Sequence, residues 1–198
     1  MIDYTHLFAT FALSYFLGSI PFGLILTRLA GLGDIRNVGS GNIGATNVMR
    51  TGRKGLGVLT LLLDGGKGTA AVLLIRYTYS DNLALLAGFS AVIGHIFPIW
   101  LNFKGGKGVA TTVGVFFGLH WLLGLSVCVI WLLAFAFMRI SSLASMLSIG
   151  YSPIAAYLIS GDVVALLCLI LAALVLFTHR RNIERLLEGT EYNFKGEA

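Results

Sequence analysis

The sequence predicts an all-α, polytopic membrane protein. Three observations carry the prediction: scarce charge, apolar runs long enough to cross a bilayer, and a one-sided placement of Lys and Arg. Of 198 residues, 57% are hydrophobic and only 12% are charged, against about 25% charged in a typical soluble domain. A chain so composed has too little polar surface to cover itself in water.

A crossing helix needs about 20 apolar residues at about 1.5 Å per residue. The runs that qualify are Leu7–Leu32, Gly55–Tyr77, Leu83–Phe103, Val109–Met138 and Leu143–Phe177. The first follows Asp3 and His6 rather than a basic stretch and lacks an Ala-x-Ala-like exit, so it is expected to stay as a span. Val109–Met138 would extend about 45 Å as one helix, against a hydrocarbon core of about 30 Å. It is expected to break at Gly118-Leu119-His120-Trp121, and the last run at Ser160-Gly161-Asp162. Splitting both gives seven transmembrane helices in a single integral membrane domain, 1–198. The halves of the first split are short, so the helix after Gly105-Gly106 is expected to begin near the headgroups.

Charge placement tests that count independently. With seven spans, Arg28, Arg36, Arg50, Arg53, Lys54, Lys104, Lys107, Arg139, Arg180, Arg181, Arg185 and Lys195 share one side. The other side receives only Arg76, with Asp3, Asp81 and Asp162. The N-terminus is therefore expected outside and the C-terminus in the cytoplasm. Tyr77, Tyr79, Trp100 and Trp121 fall near span ends, as interfacial aromatics do. Lys67 lies inside the second span with Asp64 three residues earlier, so the two can pair on one helix face. Such a pair either orients the helix or takes part in a site.

Three polar segments stand out on the cytoplasmic side. Arg36–Arg50 mixes glycines, whose backbone N–H groups can turn toward an anion, with Ser40, Asn42, Thr46, Asn47 and Arg50. Its Gly-x-Gly-x-x-Gly at Gly39–Gly44 follows a membrane span, so no βαβ unit exists to bind a dinucleotide. The segment suits either a bound phosphate or anionic lipid headgroups. The second is Asn102–Thr111, where Lys104, Gly105, Gly106 and Lys107 precede a helix start and can converge on an anion. Gly108 stands where a Walker A loop needs Ser or Thr, so that reading fails. His95, just before it, is expected to pack or hydrogen-bond, and Gly65-Gly66-Lys67-Gly68 echoes the segment one span earlier. The third is Thr178–Leu187, an amphipathic stretch in which His179 can exchange a proton near neutral pH. Ser141 and Ser142 follow Arg139 at the same level, whereas His6 and His120 belong to the opposite side.

These residues describe a basic, phosphate-suited site beside the hydrocarbon core. An enzyme that joins an anionic headgroup to an acyl chain would need it; so would an anion transporter, or a non-enzymatic subunit that holds anionic lipid. A CDP-alcohol phosphotransferase would need clustered aspartates, and these loops lack them.

Gly39-Ser40-Gly41-Asn42-x-Gly44-Ala45-Thr46-Asn47-Val48-x-Arg50, Phe103–Thr111 and His179-Arg180-x-Asn182-Ile183-x-Arg185-Leu186-Leu187 resemble the signature segments of the PlsY-type acyl-phosphate:glycerol-3-phosphate acyltransferases of bacteria. Gly18-Ser19-Ile20-Pro21 and Ser142-Leu143-Ala144-Ser145 extend the resemblance; Gly65–Gly68 and the acidic end of the tail are less characteristic. The resemblance implies seven spans, residence in the bacterial cytoplasmic (inner) membrane, a site facing the cytoplasm, and a reaction. A fatty acyl group passes from acyl phosphate to the 1-hydroxyl of glycerol 3-phosphate, giving lysophosphatidic acid and phosphate.

On this reading Arg50 and Lys104 bind phosphate, with hydrogen bonds from Ser40, Asn42, Thr46 and Asn47. The amides of Gly105 and Gly106, with Lys104 or Lys107, take the acyl-phosphate head. Either His179 or a substrate phosphate oxygen accepts the hydroxyl proton, with Ser142, Asn182 and Glu184 as orienters. Acyl phosphate is already activated, so no covalent nucleophile is required; Cys128 and Cys168 lie inside apolar runs. No cofactor or metal, no nucleic acid and no obligate protein partner is expected beside the two substrates and membrane lipid.

Overall fold

A computed structural model describes residues 4–194; Asp3 and Lys195, counted above, lie outside them. Among the described residues all regular structure is helical. Two compact units divide the chain, Met1–Leu119 and His120–Ala198.

The first unit contains α1 (Tyr4–Gly18), α2 (Phe22–Leu29), α3 (Ala45–Met49), α4 (Lys54–Thr78), α5 (Asp81–Ile96) and α6 (Val109–Leu119), with short 3-10 turns at Ile35–Asn37 and Ile99–Leu101. The second contains α7 (Trp121–Met138), α8 (Ser141–Ser160), α9 (Asp162–Thr178) and α10 (Arg180–Leu187). Five stretches are long and apolar enough to cross a membrane: Tyr4–Leu29, Lys54–Thr78, Asp81–Leu101, Trp121–Met138 and Ser141–Ser160. A sixth is counted if α9 and α10, bent by 60°, form one span. The outward faces are apolar, with Phe137 78% and Leu158 77% exposed, a surface that lipid covers and water would not tolerate.

The helices break at His120 and at Gly161, whose φ of +84° ends α8. The first apolar run, expected to be continuous, is also broken. Pro21 has no N–H to donate and restricts Ile20 before it, so α1 stops and the chain restarts as α2.

In the first unit, small residues let backbones approach closely. A Cβ on Gly114 would strike the Gly65 backbone, and one on Gly68 would strike Thr111. Thr69 Oγ1 donates to Gly114 O at 2.7 Å, and Arg76 donates to Gly118 O at 2.8 Å and Leu119 O at 3.1 Å. From the Thr69–Gly114 bond to the Arg76 bonds with Gly118 and Leu119 both helices advance together, so α6 runs parallel to α4 and covers only its second half. Arg76, the lone cation on its side in the charge count, thus caps the carboxyl end of α6 and ion-pairs with Asp81 at 2.6 Å.

The segment before α6 explains its 11 residues. After the turn at Ile99–Leu101, Asn102 and Phe103 adopt left-handed φ of 50° and 60° and reverse the chain. Gly105 N donates to Ile96 O at 3.0 Å and Gly106 N to His95 O at 3.1 Å. The chain doubles back along the end of α5 and starts α6 halfway along α4.

In the second unit α8 packs against both α7 and α9. Pro153 lies within α8 and cannot donate to the carbonyl four residues back. Ser152 Oγ fills the gap, donating to Ile149 O at 2.7 Å. Beyond α10 the chain returns: Phe194 N donates to Arg139 O at 3.0 Å, and the Phe194 ring meets Phe135 edge-on at 5.4 Å.

Candidate active site

The first glycine-rich loop is shaped from within. Asp34 accepts from Arg36 N at 3.0 Å and ion-pairs with Arg36 at 2.6 Å and Arg28 at 3.0 Å. Hydrogen bonds from the Arg36 side chain and backbone, then from Arg28, outweigh the cost of burial and hold the Asp34 carboxyl far below the usual range. Arg36 of the loop and Arg28 of α2 are thereby paired.

Asn47 is the hub of the loop and is buried. Its Oδ1 accepts from Ser40 N at 2.9 Å, and its Nδ2 donates to Ile35 O at 3.2 Å, Val38 O at 3.0 Å and Asn42 O at 2.8 Å. Asn42 Oδ1 accepts from Gly44 N at 2.8 Å. Both were expected to face substrate; the structure uses Asn47 wholly, and the Asn42 oxygen, to hold the backbone. Gly39 and Gly41 have φ of 57° and 70°, and a Cβ on Gly39 would meet Asn47 Oδ1 and lie 3.5 Å from Arg50 Cδ. Arg50, at the end of α3, therefore runs directly beneath the Gly39 turn. Ser40 is exposed and Thr46 partly buried.

Leu24, Ile35, Ile43 and Val48 form the apolar cluster under this loop, and Leu101 packs against it. Leu101 closes the turn that precedes Lys104, so the second basic segment is seated on the same cluster as the first. Lys104 is exposed and Lys107 partly buried. The Gly105 and Gly106 amides, expected to hold an anion, are already bonded to the last carbonyls of α5. The segment offers an anion the exposed Lys104 side chain and the opening turn of α6, where the first backbone N–H groups lack a carbonyl within the helix.

In the second unit, Ser142 at the start of α8 and Asn182 in α10 meet on a residue that sequence reasoning passed over. Glu191 Oε1 accepts from Ser142 Oγ at 2.8 Å and from Asn182 Nδ2 at 2.7 Å. Its Oε2 accepts from Arg185 Nε at 2.6 Å. Burial alone would raise the Glu191 carboxyl, but the bonds from Arg185, Asn182 and Ser142 outweigh it and hold it below the ordinary value. Glu184, expected in this role, is exposed. At 100° per residue it lies about 200° around α10 from Asn182, whereas Arg185 is one turn on and shares the Asn182 face. The signal for Glu191 was a carboxylate two residues past Gly189, whose φ of 69° turns the chain back. His179 is buried between α9 and α10, with Nδ1 2.8 Å from Val175 O. A carbonyl only accepts, so Nδ1 carries a proton.

These elements define a helical membrane protein with two basic, glycine-rich loops on one apolar cluster and a carboxylate network in its second unit. The family model for glycerol-3-phosphate acyltransferase matches residues 8–189, and the chain belongs to that family. It is 53% identical to a glycerol-3-phosphate acyltransferase of Paramagnetospirillum magneticum over 92% of this chain and 91% of the relative. It is 57% identical to one of Mesorhizobium japonicum, over 89% of this chain and 90% of the relative. Among solved structures it is similar to PlsY (YgiH), an integral membrane glycerol 3-phosphate acyltransferase, in its glycerol 3-phosphate form. There the TM-score is 0.90 and identity 38%, over 95% of both chains. The lysophosphatidic acid form of PlsY matches with TM-score 0.88 and 36% identity, again over 95% of both chains.

Proposed function

We propose that this chain acylates glycerol 3-phosphate at its 1-hydroxyl, with acyl phosphate as donor, releasing lysophosphatidic acid and phosphate. The observation that carries the reading is the near full-length likeness to PlsY in two forms, one named for glycerol 3-phosphate and one for lysophosphatidic acid. They are the substrate and the product of one acyl transfer.

The hydroxyl oxygen bonds to the acyl carbon, the bond from that carbon to the phosphate oxygen breaks, and the hydroxyl proton passes to a base. The donor is a mixed anhydride whose leaving group is an anion, so positioning and charge stabilisation suffice. Arg50, Ser40 and Thr46 hold one phosphate, in a loop that Asn47 and Asn42 shape. Lys104, Lys107 and the first turn of α6 hold the other. His179, with Nδ1–H committed to Val175 O, or a substrate phosphate oxygen takes the hydroxyl proton, and Ser142 and Asn182 are ordered by Glu191 rather than Glu184. The scheme calls on no cofactor and no second protein.

Residues 102–119 count as a seventh crossing, the doubled-back turn making up the depth that α6 lacks. The charge bias then sets the N-terminus outside, and the loops on the cytoplasmic face of a bacterial inner membrane. A broken first span is a feature of transporters. Here, however, the Ile20 carbonyl accepts from Lys67 Nζ at 2.7 Å and from Phe22 N at 3.1 Å instead of waiting for an ion.

Purified protein supplied with glycerol 3-phosphate and either palmitoyl phosphate or palmitoyl-CoA tests the reading. Equal amounts of phosphate and lysophosphatidic acid from the phosphate donor alone support it. Product from the thioester alone would overturn the donor assignment, and no product from either, in protein that binds glycerol 3-phosphate, would overturn the activity.

A further inference from the structure

The scheme above leaves unused three ionisable side chains in the apolar interior of the first unit. Asp64, Lys67 and His95 are 2%, 4% and 4% exposed, and charge buried among membrane helices marks a function by default. Lys67 Nζ contacts Asp64 Oδ1 at 2.8 Å, donates to Ile20 O at 2.7 Å and stands 5.7 Å from the centre of the Phe22 ring. Ile20 lies within the break and Phe22 begins α2, so the ammonium grips the point from which α2 departs. Helix α2 in turn sets the first loop, because Gly23 packs so closely on Ile43 that a Cβ there would strike its carbonyl.

His95 faces the other side of the same group. Its Nδ1 lies 3.7 Å from Asp64 Oδ1, and its carbonyl accepts from Gly106 N at 3.1 Å. Its Nε2 occupies the place a Gly106 Cβ would take. Gly106 lies between Lys104 and Lys107, so its seat decides where that segment ends and α6 begins. Both basic loops therefore hang from one buried point.

We propose that Asp64, Lys67 and His95 are positioning residues that fix the two phosphate-binding loops relative to each other. The inference rests on the acyltransferase reading for its substrates but on the buried group for its geometry.

The test pairs calorimetric binding of glycerol 3-phosphate with steady-state kinetics on full-length protein in detergent. D64N/K67M neutralises both partners, so no unpaired charge stays buried, while the grip on Ile20 is lost. The expected result is a rise of about tenfold or more in both Kd and KM for glycerol 3-phosphate, with kcat within about threefold, as small misplacements produce. Wild-type Kd and KM in folded protein would overturn the proposal, as would a loss confined to kcat.

A second set stands independent of that variant's folding. G106A alone places a methyl on the imidazole, and H95A/G106A makes room for it. Recovery in the double variant of at least half the lost affinity, on a logarithmic scale, is expected; additive losses would overturn the proposal. If wild-type protein binds glycerol 3-phosphate but turns over neither donor, the acyltransferase reading fails, and the binding data still decide the positioning role.

Discussion

Asn182 donates to Glu191 Oε1 at 2.7 Å, and that one oxygen also accepts from Ser142 at 2.8 Å. Residues from α8, α10 and the tail thus meet on a single carboxylate, which Arg185 holds from its other oxygen.

Glu191→Ala should destabilise the protein, because Asn182 and Ser142 are buried and lose their acceptor. A buried donor left unpaired costs about 1–3 kcal/mol; the Arg185 bond adds less, since that side chain is 38% exposed and screened by solvent. Thermal denaturation in detergent should show a clear drop in midpoint for Ala and a smaller one for Gln.

The same carboxylate gives the stability a pH dependence of known sign. Glu191 is held below its ordinary value in the fold, so the unfolded chain binds its proton first on acidification. Its contribution is present above about pH 4.3, the ordinary glutamate value, and is lost as pH falls through the lower folded value. Wild type and E191Q should differ in melting temperature at neutral pH and converge toward pH 3. A constant gap would mean that the charge of Glu191 contributes nothing.

Asn47→Ala should damage substrate binding without touching substrate. Its amide makes four bonds to loop backbone, and Asn47→Asp keeps only the acceptor for Ser40 N. Both variants should raise KM for glycerol 3-phosphate by about tenfold or more, since the loop geometry relaxes. A KM for Asn47→Asp equal to wild type would mean the three donated bonds are dispensable.

How far the sequence carried the fold depends on which physical constraint each feature obeys. The breaks at His120 and Gly161 were legible because the bilayer limits helix length. The break at Ser19–Pro21 was not, because the apolar pattern runs on unbroken and Lys67, which donates to the Ile20 carbonyl, lies 47 residues away. The site shows the same split. Ser142 and Asn182 stand out in the sequence as polar residues at one level, but Glu191, which joins them, was passed over because only the return of the chain after α10 brings it there. The Gly105 and Gly106 amides were read as anion donors since glycine frees the backbone, and nothing local reveals that the end of α5 claims them. Asn47 was read as a ligand for a similar reason: an amide that serves its own loop has the same composition as one that serves a substrate.

The no-nucleophile mechanism makes its sharpest prediction through contrast. Arg50 runs under the Gly39 turn, and Lys104 is exposed three residues past Leu101, which packs on the same cluster as that loop. In the proposed scheme each supplies charge to a phosphate, so Arg50→Ala or Lys104→Ala should lower kcat/KM by about 10²-fold or more while the protein stays membrane-inserted and folded. His179→Asn should fall by about 10²–10⁴-fold if its Nε2 accepts the proton. Retained activity there would leave the substrate phosphate as base. Cys128 is partly buried in α7 and Cys168 fully buried in α9, so Cys128→Ala should keep activity within about twofold, as substitutions away from a site do. Loss of turnover in folded Cys128→Ala would require a covalent acyl-enzyme, and the direct transfer argued for this chain would have to be abandoned.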